Sequence, residues 1–303
     1  MLHRYLSFAA CAWPGLWPLG LPAQQTAGAE LWRLAATTLP IPPALATGGA
    51  AAFWNPAQPA GPERGSVALD AIETSPAVGA QGMLLTARAR IRPVGDVGLV
   101  YGRMSIGDLV RTTLSPDPDP GSIPYYTQTI GVTWATRAAA TTVGATLAYQ
   151  DTELDATRAD RWTLDVGASR AFGDGVRVAA ATHFFSRFAA DDPAQDLYAG
   201  VELRVWHGPL WEGGTLGAIR ARYGMAFAHG FTADHEFGAA FEVGSVFAAD
   251  VVVVREGSYG DGGWRPVAGM RVRIGRYGLS FARDAAFNDV GAAYRVGLEA
   301  RLP

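Results

Sequence analysis

The chain contains no lysine and only one cysteine, Cys11, among its 303 residues. Charged residues make up just 17% of it, well below the ~25% usual for soluble domains. Each shortage excludes something. A lone cysteine within the chain cannot form a disulfide or a multi-cysteine zinc site. A surface this poor in charge is unusual for a soluble protein, and mean hydropathy is slightly positive at +0.08. The formal net charge of -3 offers no electrostatic case for nucleic acid, so no nucleic-acid partner is expected. With lysine absent, every basic side chain outside the histidines is arginine, which together with the alanine excess fits codon bias in a GC-rich genome.

Motifs of catalysis and metal binding are also scarce. His183, His207, His229 and His235 form no His-x-x-x-His or His-Glu-x-x-His pattern. His229 and His235 share one stretch with Asp234 and Glu236, which reads either as a weak metal site or, preferably, as solvated loop residues. The acids of Ser115 to Gly121, and Asp191, Asp192 and Asp196, lack the spacing of a calcium loop. Gly257 to Gly263 is glycine-rich, but no Gly-Lys-Ser/Thr follows it, and no Gly-x-Ser-x-Gly elbow occurs. The one catalytic arrangement left open is a lipase-type triad converging from separate strands. The expectation is a protein that is not an enzyme, with no cofactor and no metal.

What is present begins with an export signal. His3 and Arg4 precede an apolar stretch from Leu6 to Trp17, and Gly20-Leu21-Pro22-Ala23 ends in a small residue before Gln24. This reads as a secretory leader, residues 1–23, cleaved after Ala23. A membrane-anchoring helix is the alternative, but the stretch is shorter than the ~20 residues a span needs, and Pro14 and Pro18 interrupt it. Cys11 would leave with the leader.

From Gly65 onward, apolar residues alternate with polar or small ones in runs of ten or more, the period of strands with two unlike faces. Trp162, Leu164, Val166, Ala168 and Phe172 share a face, while Arg161, Thr163, Asp165, Gly167 and Ser169 share the other. The last run sets Tyr294, Val296, Leu298 and Leu302 against Arg295, Gly297, Glu299 and Arg301. About fourteen such runs occur. Their length matches the ~9 to 11 residues that cross a bilayer at a tilt, rather than the five or six common in soluble sheets. Tight turns at Gly173-Asp174-Gly175 and Gly275-Arg276 contrast with long polar loops expected at Gly107 to Ile123, Asp151 to Asp160, Ala189 to Gln195 and Ser258 to Trp264. Aromatic residues near run ends, including Tyr125, Tyr126, Trp134, Trp162, Phe172, Phe184, Trp206, Trp211 and Tyr277, fit either interfacial girdles or ordinary strand propensity. The expected fold is therefore all-β: a transmembrane antiparallel up-and-down β-barrel of about 14 strands over residues 65–303, in the bacterial outer membrane and in contact with its lipid.

Residues 24–64 need a separate account. Leu34 to Pro62 carries no charge, yet Pro40, Pro42, Pro43 and Gly48-Gly49 forbid a continuous helix. Its apolar side chains must still be buried, and the barrel lumen is the natural place, so a lumenal plug is expected. The stretch Ala46-Thr47-Gly48-Gly49-Ala50-Ala51-Ala52-Phe53-Trp54-Asn55-Pro56-Ala57 resembles the N-terminal signature of the FadL-like long-chain fatty-acid transporter superfamily, in particular its PorV/PorQ branch. The ending from Tyr277 to Leu302, with a polar loop through Asn288-Asp289, resembles that branch as well. Two departures stand out: the acidic residues that commonly precede the aromatic in that family are missing from Ala46 to Ala52, and the chain ends Leu302-Pro303 without a terminal aromatic. Asn55 before Pro56 also reads as a turn that satisfies its own backbone. The resemblance implies a plug or ligand region at Phe53, Trp54, Asn55 and Pro56. It implies a barrel that binds or passes hydrophobic or amphipathic small molecules, or alternatively a PorV-like partner of secreted proteins in a type IX-like system. A purely structural barrel is the remaining class.

The residues expected to face the lumen include Arg88, Arg90, Arg92, Arg103, Arg177, Arg204, Arg220, Arg222, Arg271, Arg273, Arg295 and Arg301. They share it with Asp70, Asp165, Glu202, Glu242 and Glu299. Such a set reads either as an arginine-lined path for anionic solutes or, preferably, as a structural network pairing arginines with acids and plug carbonyls.

Overall fold

The computed structural model describes residues 28–48, 51–58, 63–110, 121–187, 194–257, 263–285 and 291–302. The leader with Cys11, Asp191, Asp192, Asn288-Asp289, Pro303 and most of the Ser115 to Gly121 and Gly257 to Gly263 stretches lie outside them.

Alternating sequence becomes strand from Gly65 on. The strands are β1 (Gly65–Glu73), β2 (Ala80–Ile91), β3 (Gly95–Ile106), β4 (Tyr125–Ala138), β5 (Thr141–Leu154), β6 (Thr157–Phe172) and β7 (Val176–Phe184). They continue with β8 (Gln195–Pro209), β9 (Leu216–Ala228), β10 (Asp234–Val243), β11 (Phe247–Arg255), β12 (Trp264–Ile274), β13 (Tyr277–Asp284) and β14 (Ala293–Leu302). Each pairs antiparallel with its sequence neighbours, and β1 pairs β14 from Gly65↔Leu302 to Glu73↔Tyr294, closing a barrel of 14 strands. Closure leaves no sheet edge at the seam.

Charged and small residues point inward, and apolar ones outward. On β6, Arg161, Thr163, Asp165 and Ser169 are buried, whereas Trp162, Val166 and Phe172 are exposed. Leu99, Ile130, Leu147 and Leu298 are each more than half exposed on the outer wall. A soluble barrel would show the opposite sidedness; an outward apolar band is what hydrocarbon requires. No helix among the described residues is long and apolar enough to cross a membrane.

Connections on one side of the barrel are the short segments 92–94, 139–140, 173–175, 210–215, 244–246 and 275–276. Gly173 and Gly275 take left-handed backbone there, at φ 59 and 59, as tight hairpins require. Most connections on the opposite side are longer, with 107–124 the longest. One expected loop is corrected. Asp151 to Asp160 is not a long loop: β5 and β6 stay paired to Leu154↔Thr157, and only 155–156 turn, with Asp155 at φ 54. Outward polar side chains hold this extended hairpin together: Asp151 accepts from Nε and Nη2 of Arg158 at 2.9 Å each and from Gln128 at 3.0 Å, and Tyr149 donates to Asp160. Polar composition therefore marked a strand pair projecting past the apolar band, not an irregular segment. Phe184 is likewise buried at 5% exposure and does not join an aromatic rim.

The ladder between β6 and β7 is short. It runs from Val166↔Thr182 to Phe172↔Val176, while β5 and β6 remain paired from Thr141↔Arg170 to Leu154↔Thr157. Above it, side chains replace backbone pairing: Asp165 accepts the Phe184 N–H at 2.9 Å, and Gln150 donates to the Phe184 carbonyl at 2.9 Å. A bulge at Arg204/Trp206 shifts register in the wall on β8.

Candidate functional site

The described residues before the barrel are broken into short pieces, as the prolines demand. Helix α1 spans Ala29–Thr37, a 3-10 turn covers Pro43–Leu45, and helix α2 is the four-residue Ala51–Trp54. The sequence had not suggested α1. It stops at Thr38, two residues before Pro40. Leu31, Trp32, Leu45, Phe53 and Trp54 are buried and form a hydrophobic cluster with Leu84, Val100, Met104 and Tyr198 of the wall.

Inward-facing glycines seat this segment. An ideal Cβ on Gly144 would stand 2.4 Å from the Pro56 carbonyl oxygen, and one on Gly167 would stand 2.2 Å from Asn55 Oδ1. One on Gly200 would meet Leu45 at 2.7 Å, and one on Gly224 would meet Pro42 at 2.5 Å. These glycines lie on β5, β6, β8 and β9, so the wall is hollowed where the chain runs against it. They were not singled out from the sequence, although glycine at mid-strand positions of the polar face was the available signal.

Asn55 is wholly buried and does what its type before proline suggests. Its Nδ2 donates to the Ala44 carbonyl at 2.8 Å, and its Oδ1 accepts the Ala57 N–H at 2.9 Å. Gln58 also donates to Ala44, at 2.9 Å, and accepts from Arg177 at 3.0 Å. Arg177 in turn donates to the Leu45 carbonyl at 2.8 Å. Replacing Asn55 with Ala removes two buried hydrogen bonds, at about 1 kcal/mol each. Exchange of the Ala57 amide is expected to speed up roughly tenfold or more, measured by hydrogen–deuterium exchange. Unchanged protection would show that the turn is held by packing alone.

Trp54, 1% exposed, sits among Phe53, His183 and Tyr198, with ring centroids at 5.0, 5.9 and 6.5 Å, and under the Arg295 guanidinium at 5.8 Å. His183 joins segment to wall. Its Nε2 lies 3.3 Å from the Trp54 carbonyl oxygen and its Nδ1 lies 3.3 Å from Asp165 Oδ2. A carbonyl only accepts, so Nε2 carries the hydrogen. This unit was invisible in the sequence, where His183 had no motif around it.

The expected lumenal charges fall into distinct places. Arg222, Arg220 and Arg177 converge on Glu202, at 2.6, 3.3 and 3.5 Å. Arg222 also binds Asp250, and Arg220 binds Glu242 at 3.0 Å. Arg271 donates to Thr47 Oγ1 at 3.2 Å, and Glu299 meets Arg301 at 3.2 Å and Arg273 at 4.0 Å. Arg90, exposed near the end of β2, pairs with Asp96 at 3.1 Å. Arg92 lies past β2 in the exposed 92–94 turn, outside the lumen. Arg103 is corrected as well: it is on the outward face of β3, donating to Gln128 and lying over the Tyr126 ring. An arginine adjoining the headgroup level resembles a lumenal one in sequence, because only the alternation phase separates them. His235 and Glu236 are adjacent and so face opposite sides of β10; His235 meets Tyr223 Oη at 2.7 Å, away from the lumen.

Above Trp54, on the side of the longer connections, a cavity of about 470 Å³ opens between α1 and the wall. Leu34, Phe227, Phe231 and Val254 give it an apolar side. Six carboxylates, Glu30, Asp196, Asp234, Glu236, Glu256 and Asp284, face two guanidiniums, Arg33 and Arg265. Arg33 is held by Asp196 at 2.8 Å, with Phe185 and Phe231 near its faces, and Arg265 by Glu256 at 2.6 Å and Asp284 at 3.0 Å. Both arginines are thus engaged, while Oε2 of Glu30 and Oε2 of Glu236 are buried without a hydrogen-bond partner.

Comparison with protein-family models and with curated proteins gives no match. Among solved structures, the chain is similar to the Pseudomonas putida toluene transporter TodX, at 10% identity over 88% of this chain and 95% of that one, with a TM-score of 0.51. It also aligns with the Acinetobacter baumannii outer membrane protein Omp33, at 10% identity over 79% of this chain and 98% of that one, with a TM-score of 0.45. The likeness to the toluene transporter is one of fold, a closed barrel of the outer-membrane type.

Proposed function

We propose that this chain is an outer-membrane barrel of the transport type, in which residues 24–64 form a plug and the outer cavity receives a small amphipathic molecule. The observation that carries the reading is the cavity itself: about 470 Å³, part apolar and part charged, directly above the Trp54 seal. Its size lies in the range of small-ligand sites. The outward apolar band supports the membrane assignment, and the length asymmetry of the connections supports an orientation with the short turns in the periplasm. This orientation places the cavity at the outer mouth.

Charge narrows the ligand. With carboxylates in excess and both arginines occupied, a fatty-acid carboxylate would meet repulsion, so the cavity suits a neutral or cationic amphiphile. The toluene transporter that shares the fold has a neutral hydrocarbon in its name. In proteoliposomes, uptake of a radiolabelled alkylamine or aromatic hydrocarbon is expected to exceed that of laurate. Trp54→Ala should raise it several-fold, because removing a buried indole costs roughly 3–5 kcal/mol of local packing. Uptake equal to that of empty liposomes, for both the wild type and the variant, would end the transport reading.

A second reading uses the same seal. A barrel kept closed by Trp54-Asn55-Pro56-Ala57, the stretch resembling the PorV/PorQ branch, suits a partner that holds secreted proteins rather than passing solutes. Retention of a secreted protein on the purified barrel, with no solute uptake, would favour it.

A further inference from the structure

At the opposite end of the lumen, beside the short turns, lies a second cavity of about 290 Å³. Arg88, Arg177, Arg271 and Arg301 line it, together with Glu63 and Glu299 and the hydroxyl residues Thr47 and Ser66. Both carboxylates are already engaged, because Arg301 binds Glu63 and lies 3.2 Å from Glu299. Arg177 is spent on Leu45, Gln58 and Glu202. Arg88 differs from all of these. It is 5% exposed, and its Nε and Nη2 are buried without any hydrogen-bond partner. The nearby acid, Asp96, is bound by Arg90 at 3.1 Å.

A buried guanidinium whose nitrogens lack hydrogen-bond partners is costly, since desolvation is not fully repaid. Four guanidiniums and two carboxylates line the cavity, and Glu202 and Asp250 stand behind Arg177 and Arg271, so Arg88 is the guanidinium of this lining that the neighbouring acids do not bind. An anion with several oxygens, able to meet Arg88 and its neighbours at once, fits that arrangement better than a single carboxylate. Arginine's planar fork pairs bidentately with phosphate oxygens, and hydroxyls of Thr47 and Ser66 can complete the shell. We infer that this inner cavity is a phosphate-binding site with Arg88 as its principal ligand, independent of the cargo of the outer cavity.

The test uses the full-length barrel folded in detergent, with folding checked by heat-dependent gel mobility. Equilibrium dialysis against radiolabelled inorganic phosphate is expected to show saturable binding. Arg88→Gln should weaken it tenfold or more, consistent with loss of a charge-assisted pair, whereas Arg276→Gln in an exposed turn should leave it unchanged. Arg88→Lys, which keeps the charge but not the fork, should fall between. Competition by an alkyl phosphate in the micelle at much lower concentration than inorganic phosphate assigns the site to a lipid headgroup, and equal competition assigns it to the free anion. Absence of saturable binding to the folded wild type, or equal binding by folded Arg88→Gln, would overturn the inference.

Discussion

Deleting residues 28–58 is expected to turn a barrel that carries no measurable ion current into one that conducts in discrete steps in a planar bilayer. The reason is volumetric. Small barrels of about eight strands are filled by their own side chains, while those of roughly 16 to 18 leave a water channel. With 14 strands this barrel lies near the second limit, and its wall is hollowed at Gly144, Gly167, Gly200 and Gly224 to accept Pro56, Asn55, Leu45 and Pro42. Removing the segment leaves these hollows to water. It also frees Arg177 from Leu45 and Gln58, so the pore should favour anions near that level. A folded deletion variant with no current would show that wall side chains close the lumen unaided, and the plug assignment would fall with it.

The second large effect concerns Glu202, where Arg177, Arg220 and Arg222 meet. Glu202→Ala strands Arg222, 6% exposed, with Asp250 as its remaining partner. Breaking a buried pair from one side costs roughly 3–5 kcal/mol. The urea midpoint of the barrel in lipid vesicles should drop accordingly. Glu242→Gln, which removes the more exposed partner of Arg220, should change stability by less than about 1 kcal/mol, as for a solvent-screened pair. Equal effects from the two substitutions would mean that the network acts as a uniform charge field and not through a buried hub.

How far the molecule was legible follows from the physics of each part. Two-residue periodicity is local, and a closed barrel repeats one local rule on every strand. The runs through Trp162 to Phe172 and through Tyr294 to Leu302 therefore coincide with β6 and β14. Phase was harder at strand ends. Arg92 and Arg103 were drawn into the lumenal set because one residue past a strand, or one step of alternation, changes the environment without changing the side chain. The polar Asp151 to Asp160 stretch misled for a related reason: polarity reports solvent, and an extended hairpin above the bilayer is as wet as a loop.

The site divides along the same line. Asn55 could be assigned its turn because its partner Ala57 is two residues away. His183 could not be assigned its place, since Trp54 and Asp165 are 129 residues before it and 18 residues before it along the chain. The glycine hollows lay between these cases, as each is visible as a residue but acquires meaning only from the segment that fills it.

By itself, then, the sequence determined the all-β class, a strand number of about fourteen and the need for an uncharged, proline-broken segment to be buried, because all three follow from composition and near-neighbour spacing. Tertiary structure alone decided which guanidiniums are paired, that Arg88 keeps buried nitrogens without hydrogen-bond partners, and where the acid-lined cavity stands above Trp54. Those are properties of side chains brought together from strands far apart in the chain, whose proximity is set by barrel closure and register and by no local pattern.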